Sequence, residues 1–154
     1  MKKSEINFFI KNGYFKIRLQ QSNFLYLKNK IKDIARKELN LKKINLDKFH
    51  TKIEVENLNN FRLKVFNKIN EDKKFNKNIL LSAKDFIYET VGNELCSSDA
   101  NLSIQLPNDK SSLLEMHSDF FSGESLFQIN LWIPFVNVKK TQSMFIINPS
   151  DSLK

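Results

Sequence analysis

Cysteine, glycine and proline are scarce in this sequence. Its 154 residues contain one Cys, three Gly and three Pro. The single cysteine, Cys96, cannot form an internal disulfide, which excludes a disulfide-stabilised secreted scaffold. No apolar run approaches the roughly 20 residues that span a bilayer, and no signal-peptide core follows the N-terminal Met-Lys-Lys. We therefore expect a cytoplasmic protein without a membrane partner.

The rest of the composition is typical of a globular domain. Hydrophobic residues make up 41% of the chain and charged residues 27%, which suits one buried core with a solvated surface. This length corresponds to one ordinary domain. We predict a single domain over residues 1–154, with a mainly helical part at 1–99 and a β-rich part at 100–154.

Positive charge is concentrated in the first part. Residues 1–100 hold 21 Lys+Arg and 12 Asp+Glu, a net charge of +9, whereas residues 101–154 hold 4 and 5, a net charge of −1. A basic surface of this kind raises a nucleic-acid-binding module as an alternative. We do not expect nucleic acid as the partner, because the basic part is rich in Lys, Asn, Ile and Phe, as AT-rich coding produces, and contains only three Arg.

Helical spacing dominates up to residue 99. Residues 4–10 predict a short helix that Asn12-Gly13 ends, and residues 14–17 predict a short strand. Ser22 is the predicted N-cap of a longer helix. Three amphipathic helices follow from apolar residues at helical spacing, which are Phe24, Leu27, Ile31, Ile34 and Leu39 in the first, Leu58, Phe61, Val65, Phe66 and Ile69 in the second, and Phe75, Ile79, Leu80, Ala83, Phe86 and Ile87 in the third.

Short segments rich in β-formers replace this pattern from residue 100. We predict strands at 102–106, 113–117, 126–133 and 144–147, separated by turn residues and Pro. In such a sheet Phe127, Trp132 and Met144 would be packing residues. The predicted fold class is therefore α+β, in which a helical N-terminal part packs on a sheet or barrel.

His117 and Asp119 form the chemically most suggestive pair. They follow a predicted strand with a spacing of two, so on extended backbone both side chains point to the same side. An imidazole and a carboxylate that converge in this way supply two of the three ligands of the 2-His-1-carboxylate iron site. An ordinary hydrogen-bonded pair at a strand end is the alternative. His50 has no such partner in the sequence, and we interpret it as a surface or capping residue.

The blocks around this pair resemble a known family, the 2-oxoglutarate/Fe(II) oxygenases found sporadically in carbohydrate-biosynthesis gene clusters, which are distant relatives of phytanoyl-CoA dioxygenase. The resemblance covers roughly residues 97–154. It lies in the order and spacing of the segments Ala-Asn-Leu-Ser-Ile-Gln-Leu-Pro (100–107), Leu-Glu-Met-His-Ser-Asp (114–119), Ser-Gly-Glu-Ser (122–125), Asn-Leu-Trp-Ile-Pro-Phe-Val (130–136) and Thr-Gln-Ser-Met (141–144).

This resemblance implies an incomplete double-stranded β-helix, a cupin-like jelly roll, with His117 and Asp119 as Fe(II) ligands. It also implies 2-oxoglutarate as cosubstrate, O₂, and a sugar or nucleotide-sugar as the oxidised substrate. Gln105 and Asn130 are the candidate contacts to cosubstrate or substrate, and no catalytic residue is expected beyond the metal ligands. The distal His and the basic residue that binds 2-oxoglutarate have no counterpart, since no His follows His117 and no Arg follows Arg62.

We therefore expect a chain truncated at its C-terminus, by a natural event or an incomplete gene model, and inactive alone. Alternatives that the residues leave open are a non-catalytic remnant and a cupin-like sugar-binding or isomerase domain.

Overall fold

The computed structural model describes residues 3–94, 96–110, 113, 115–125, 127–140 and 143–151. Within these residues the regular structure is helical. Two short 3-10 helices, Leu46–Thr51 and Asp119–Ser122, accompany five α-helices, which are α1 (Lys3–Asn12), α2 (Gln21–Glu38), α3 (Val55–Asn70), α4 (Lys73–Ser82) and α5 (Lys84–Thr90). In the described part of the chain, no helix is both long enough and apolar enough to cross a membrane.

The core lies where α2, α3 and α4 pack against one another. Each helix contributes buried apolar residues at the predicted spacing, although Leu80 of α4 is exposed. Burial of such stripes is the main source of stability for helices of this length. Phe49 of the first 3-10 helix packs on Phe61 of α3 with ring centroids 5.1 Å apart. The buried residues of the cluster are Leu27, Ile31, Ile34, Ala35, Phe49, Leu58, Phe61, Val65, Ile69, Phe75 and Leu106.

The helical predictions agree with this structure except in local details. Gly13 ends α1 at φ 74°, in the left-handed region that glycine adopts freely. The predicted cap Ser22 is wrong, because α2 already begins at Gln21 and its N-cap is Gln20. The third predicted helix is two helices, since Ala83 leaves helical geometry at φ −124° and ψ 20° and separates α4 from α5.

The predicted β-part is wrong. No strand occurs among the described residues of 14–17, 102–106, 113–117, 126–133 and 144–147, so the structure contradicts the α+β class and the double-stranded β-helix. Burial does alternate along 100–106, with Leu102, Ile104 and Leu106 facing inward and the residues between them exposed. The apolar side chains pack on the helical core rather than on a second sheet.

Side chains of helix α3 form hydrogen bonds with the backbone of this segment, in the place of a neighbouring strand. Asn70 Oδ1 accepts from the backbone N–H of Ala100 at 2.7 Å, and Asn70 Nδ2 donates to the Ala100 carbonyl at 3.0 Å. Arg62 donates to the carbonyl of Ile104. A period-two pattern therefore reports an extended, half-buried segment correctly but does not specify what covers it.

Asn70→Ala should lower the free energy of unfolding by about 1–2 kcal/mol, because the backbone polar groups of Ala100 lose both partners in a partly buried position. The matched control is Asn78→Ala. Asn70 Nδ2 also donates to the carbonyl of Phe66, four residues back in its helix, at 3.0 Å, and Asn78 Nδ2 makes the equivalent donation to Lys74 at 2.7 Å in an exposed hydrogen bond. Urea denaturation should show no loss for the control. Equal losses of unfolding free energy in both variants would contradict the role of Asn70 in holding the segment at Ala100.

Three ion pairs, centred on the two carboxylates of Asp72 and Glu38, join the helices at the surface of the core. Lys30 of α2 pairs with Asp72, which also caps α4 by accepting from the backbone N–H groups of Lys74 and Phe75. Glu38 at the end of α2 receives Lys64 and Lys68 from α3. The hydrogen bond from Lys68 lowers the pKa of Glu38, and that from Lys30 lowers the pKa of Asp72.

Acid should destabilise the fold through these carboxylates. A depressed pKa in the folded state stabilises the protein above the ordinary value, 4.5 for Glu and 3.8 for Asp, and this contribution disappears as the pH falls through the folded value. Glu38→Gln should therefore flatten the loss of stability below about pH 5 by an amount on the order of 1 kcal/mol. Thermal unfolding from pH 7 to pH 3 measures this. The control is Glu56→Gln on the exposed face of α3, and an equal flattening in both variants would contradict the role of Glu38.

Many large apolar side chains among the described residues between 113 and 147 face solvent, although Ile133 and Phe135 pack on the core. Phe127 is 90% exposed, and Trp132 and Met144 are about half exposed. Their prediction as packing residues of a barrel is wrong, because the described residues form no sheet for them to cover. Met116, Phe121 and Phe145 are more than four-fifths exposed as well.

Candidate functional site

The candidate site lies at the start of the second 3-10 helix. His117 precedes this helix by two residues and Asp119 is its first residue. The turn is held by backbone hydrogen bonds from Phe121 N to Ser118 O at 3.0 Å and from Glu124 N to Asp119 O at 3.1 Å. Gly123, at φ 95°, allows the chain to leave the turn. The spacing of two therefore brings the two side chains together across a turn, not along a strand.

The imidazole of His117 is fixed at both nitrogens. Its Nδ1 lies 2.7 Å from the backbone carbonyl of Glu115, and its Nε2 lies 3.3 Å from Oδ1 of Asp119. A carbonyl oxygen can only accept, so Nδ1 is the protonated nitrogen. In the neutral ring Nε2 then carries a lone pair that faces a carboxylate oxygen. These two atoms are placed to share either a proton or a metal ion.

The carboxylate of Asp119 is held from its other side. Asn130 Nδ2 donates to Oδ2 of Asp119, and Gln128 Nε2 donates to Oδ1 of Asn130 at 2.8 Å. Residues 128 and 130 are again two apart, like 117 and 119. The site therefore joins two short segments, each of which presents alternate residues.

The pair fits the donor set of a first-row divalent ion. Ligand bonds to such ions are about 2.0–2.2 Å long, so adjacent ligands of an octahedral ion lie about 3 Å apart. The 3.3 Å between His117 Nε2 and Asp119 Oδ1 is close to this separation. A metal-ligating His ordinarily donates its other ring N–H to a carbonyl or carboxylate, as Nδ1 does here to Glu115.

The site is an open surface site. The side chains of His117 and Asp119 are 42% and 43% exposed, so their mutual attraction contributes about 0–1 kcal/mol to the stability of the fold. A groove of about 320 Å³ lies elsewhere, between α5 and the segment after α1, and includes Phe15, Arg18 and Phe86 in its lining. None of the predicted site residues lines it.

The structure connects three of the four predicted site residues. Gln105 is exposed, and the hydrogen bonds of the described residues do not link it to the cluster. His50, at the exposed end of the first 3-10 helix, is a surface residue as predicted. Within the described residues, no group of three or more His, Cys, Asp and Glu side chains could hold a metal ion. The motif positions 114, 141 and 142 lie outside the described residues.

Sequence reasoning missed the roles of Gln128 and of the Glu115 carbonyl. A signal for Gln128 was present, because it stands two residues before Asn130 and extended backbone places both on one side. The contact to the Glu115 carbonyl depends only on the backbone geometry. Every residue type has a backbone carbonyl, so the sequence gives no signal for this contact. The side chain of Asn130, a predicted contact to cosubstrate or substrate, lies against Asp119 and Gln128.

Comparison of the chain with protein-family models, with curated proteins and with solved structures gives no match.

Proposed function

We propose that this chain carries the His-Asp part of a ferrous-ion site and belongs to a 2-oxoglutarate-dependent oxygenase that oxidises a small sugar-like metabolite in the cytoplasm. The observation that carries the proposal is the convergence of His117 Nε2 and Asp119 Oδ1 at 3.3 Å. The order of sequence blocks around the pair, described above as a resemblance, supplies the type of chemistry.

His117 and Asp119 have complementary roles in this proposal. The imidazole would hold the ion through Nε2, since Nδ1 is engaged by the Glu115 carbonyl. The carboxylate of Asp119 would contribute one negative charge and hold the ion through Oδ1, because Oδ2 accepts from the Asn130 amide. A ferrous ion bound there supplies the redox chemistry with which dioxygen is activated.

With only two protein ligands, a bound ferrous ion would have room for a chelating cosubstrate. 2-Oxoglutarate would offer a keto and a carboxylate oxygen as further ligands. Its binding and that of Fe(II) should therefore strengthen one another, by reciprocal coupling of two ligands at one site. This coupling separates the proposal from the alternative of a non-catalytic remnant, for which no cooperation with 2-oxoglutarate is expected.

The test is anaerobic calorimetric titration of the chain with Fe(II), with and without 2-oxoglutarate. Glutarate is the matched control, because it has the same length and both carboxylates but lacks the keto oxygen. We expect 2-oxoglutarate, after correction for its own affinity for Fe(II) in solution, to increase the affinity of the chain for Fe(II) by about 5–150-fold, and glutarate to have no effect. Equal results with both acids would contradict the proposed function.

A further inference from the structure

We propose that Gln128 and Asn130 form a positioning relay for Asp119, in which each side chain fixes the orientation of the next. The inference rests on the proposed function for its purpose, since an oriented carboxylate matters where an ion binds. It assigns Asn130 to the carboxylate rather than to a cosubstrate, and it gives a role to Gln128, which the sequence analysis did not single out.

Donor and acceptor identities give the relay one direction. A carboxylate only accepts, so the amide group of Asn130 that contacts Asp119 Oδ2 is Nδ2. The amide oxygen of Asn130 then points the other way, and it accepts from Gln128 Nε2 at 2.8 Å. Flipping Asn130 would set its oxygen against the carboxylate and its NH₂ group against the Gln128 donor, and would lose both hydrogen bonds.

The relay restricts rotation of the Asp119 carboxylate. An exposed Asp samples several orientations, and holding it in one costs conformational entropy when the ion binds. The donation from Asn130 engages Oδ2 and leaves Oδ1 facing His117 Nε2. The carboxylate is thereby prepared to bind an ion through one oxygen, next to the imidazole. The five groups form a continuous chain from Gln128 through Asn130, Asp119 and His117 to the Glu115 carbonyl.

The first test needs no metal. Side-chain amide signals of Asn130 and Gln128 are measured by ¹⁵N-¹H NMR in the unsubstituted chain and in Asp119→Ala. We expect the Asn130 signals to shift most and those of Gln128 to shift less, while the amide of Asn101 stays unchanged. Asn101 is an exposed Asn in the segment 101–106 and serves as the internal reference. Asn130 signals that are identical in both proteins would overturn the relay.

The second test uses Co(II) as a spectroscopic substitute for Fe(II). Asn130→Leu removes the donor while keeping the side-chain size, and should weaken Co(II) binding by about 10–100-fold and alter the visible spectrum of the bound ion. Gln128→Leu should also weaken Co(II) binding, but by a smaller factor. Asn130→Gln retains an amide donor and should therefore bind Co(II) more tightly than Asn130→Leu. The matched control, Asn101→Leu, should bind Co(II) like the unsubstituted chain.

The outcomes separate the relay from the proposed function. If Asn130→Leu and Asn101→Leu bind Co(II) equally well with the same spectrum, the relay is wrong while the ion site stands. If the unsubstituted chain does not bind Co(II), the proposed function is wrong, and the metal-free NMR comparison still decides whether the relay exists.

Discussion

Phe75→Ala is expected to lower the free energy of unfolding by about 3–5 kcal/mol, whereas Phe127→Ala should change it by less than about 0.5 kcal/mol. The two substitutions remove the same atoms from opposite environments. Phe75 of α4 is 2% exposed and belongs to the core cluster, and Phe127 is 90% exposed. The first leaves a cavity among packed helices, while the second removes atoms that already face solvent.

Urea denaturation followed by far-ultraviolet circular dichroism measures both losses. A stability change of this size can prevent folding of a domain whose whole stability is about 5–15 kcal/mol. Phe75→Leu, which leaves a smaller void, then provides the measurable variant, with an expected loss between those of the two Ala variants. A large loss for Phe127→Ala would contradict the helical core described here and would favour a packed β-part.

Replacing either His117 or Asp119 with Ala is expected to weaken Co(II) binding by at least about 100-fold, since each variant leaves a single ligand and a metal site with one protein ligand holds its ion poorly. The fold should be unaffected, because both side chains are exposed and their ion pair contributes little. Calorimetry gives the affinities, and thermal unfolding without metal verifies the fold.

Two substitutions of the same residue types serve as controls for this prediction. His50→Ala and Asp99→Ala remove exposed side chains that lie outside the candidate site. Neither should change the affinity for Co(II). If His50→Ala weakens binding as much as His117→Ala, the ion binds to imidazoles on the surface without selection and the site is wrong.

The helical half of the fold was predictable because its information is local. Apolar residues at spacings of three and four identify the buried faces of α2, α3 and α4, and Leu27, Phe61 and Phe75 lie in the core as their spacing indicates. The break at Ala83 was not predictable from periodicity, since the apolar stripe continues through it into α5.

The structure of the part predicted to be β-rich was not predictable, because alternating apolar residues do not specify what the apolar side packs against. Leu102, Ile104 and Leu106 alternate as residues of a half-buried strand do, and the structure does bury that side. What covers it is a long-range property: the polar side chains of Asn70 and Arg62 take the backbone hydrogen bonds of this segment. Nothing in the local sequence of residues 100–106 specifies these partners.

The candidate site shows the same division between local and distant information. The spacing of His117 and Asp119 is local, and the structure places the two side chains 3.3 Å apart, but across a turn rather than on the extended backbone that the prediction assumes. Asn130 is eleven residues from Asp119, and its alignment with the carboxylate depends on how the turn returns the chain. Gln105 carries a side-chain amide, as Asn130 does, yet the hydrogen bonds among the described residues do not connect it to the cluster.

The most direct test of the ion site is paramagnetic line broadening in ¹⁵N-¹H NMR spectra as Mn(II) is added at substoichiometric amounts. Because broadening falls steeply with distance from the ion, the residues whose assigned signals broaden most identify the position of the ion. We predict that backbone signals around residues 115–119 and 128–130 broaden first, together with the side-chain amides of Gln128 and Asn130. Strongest broadening around His50, or around the carboxylate of Glu38, would contradict an ion site between His117 and Asp119.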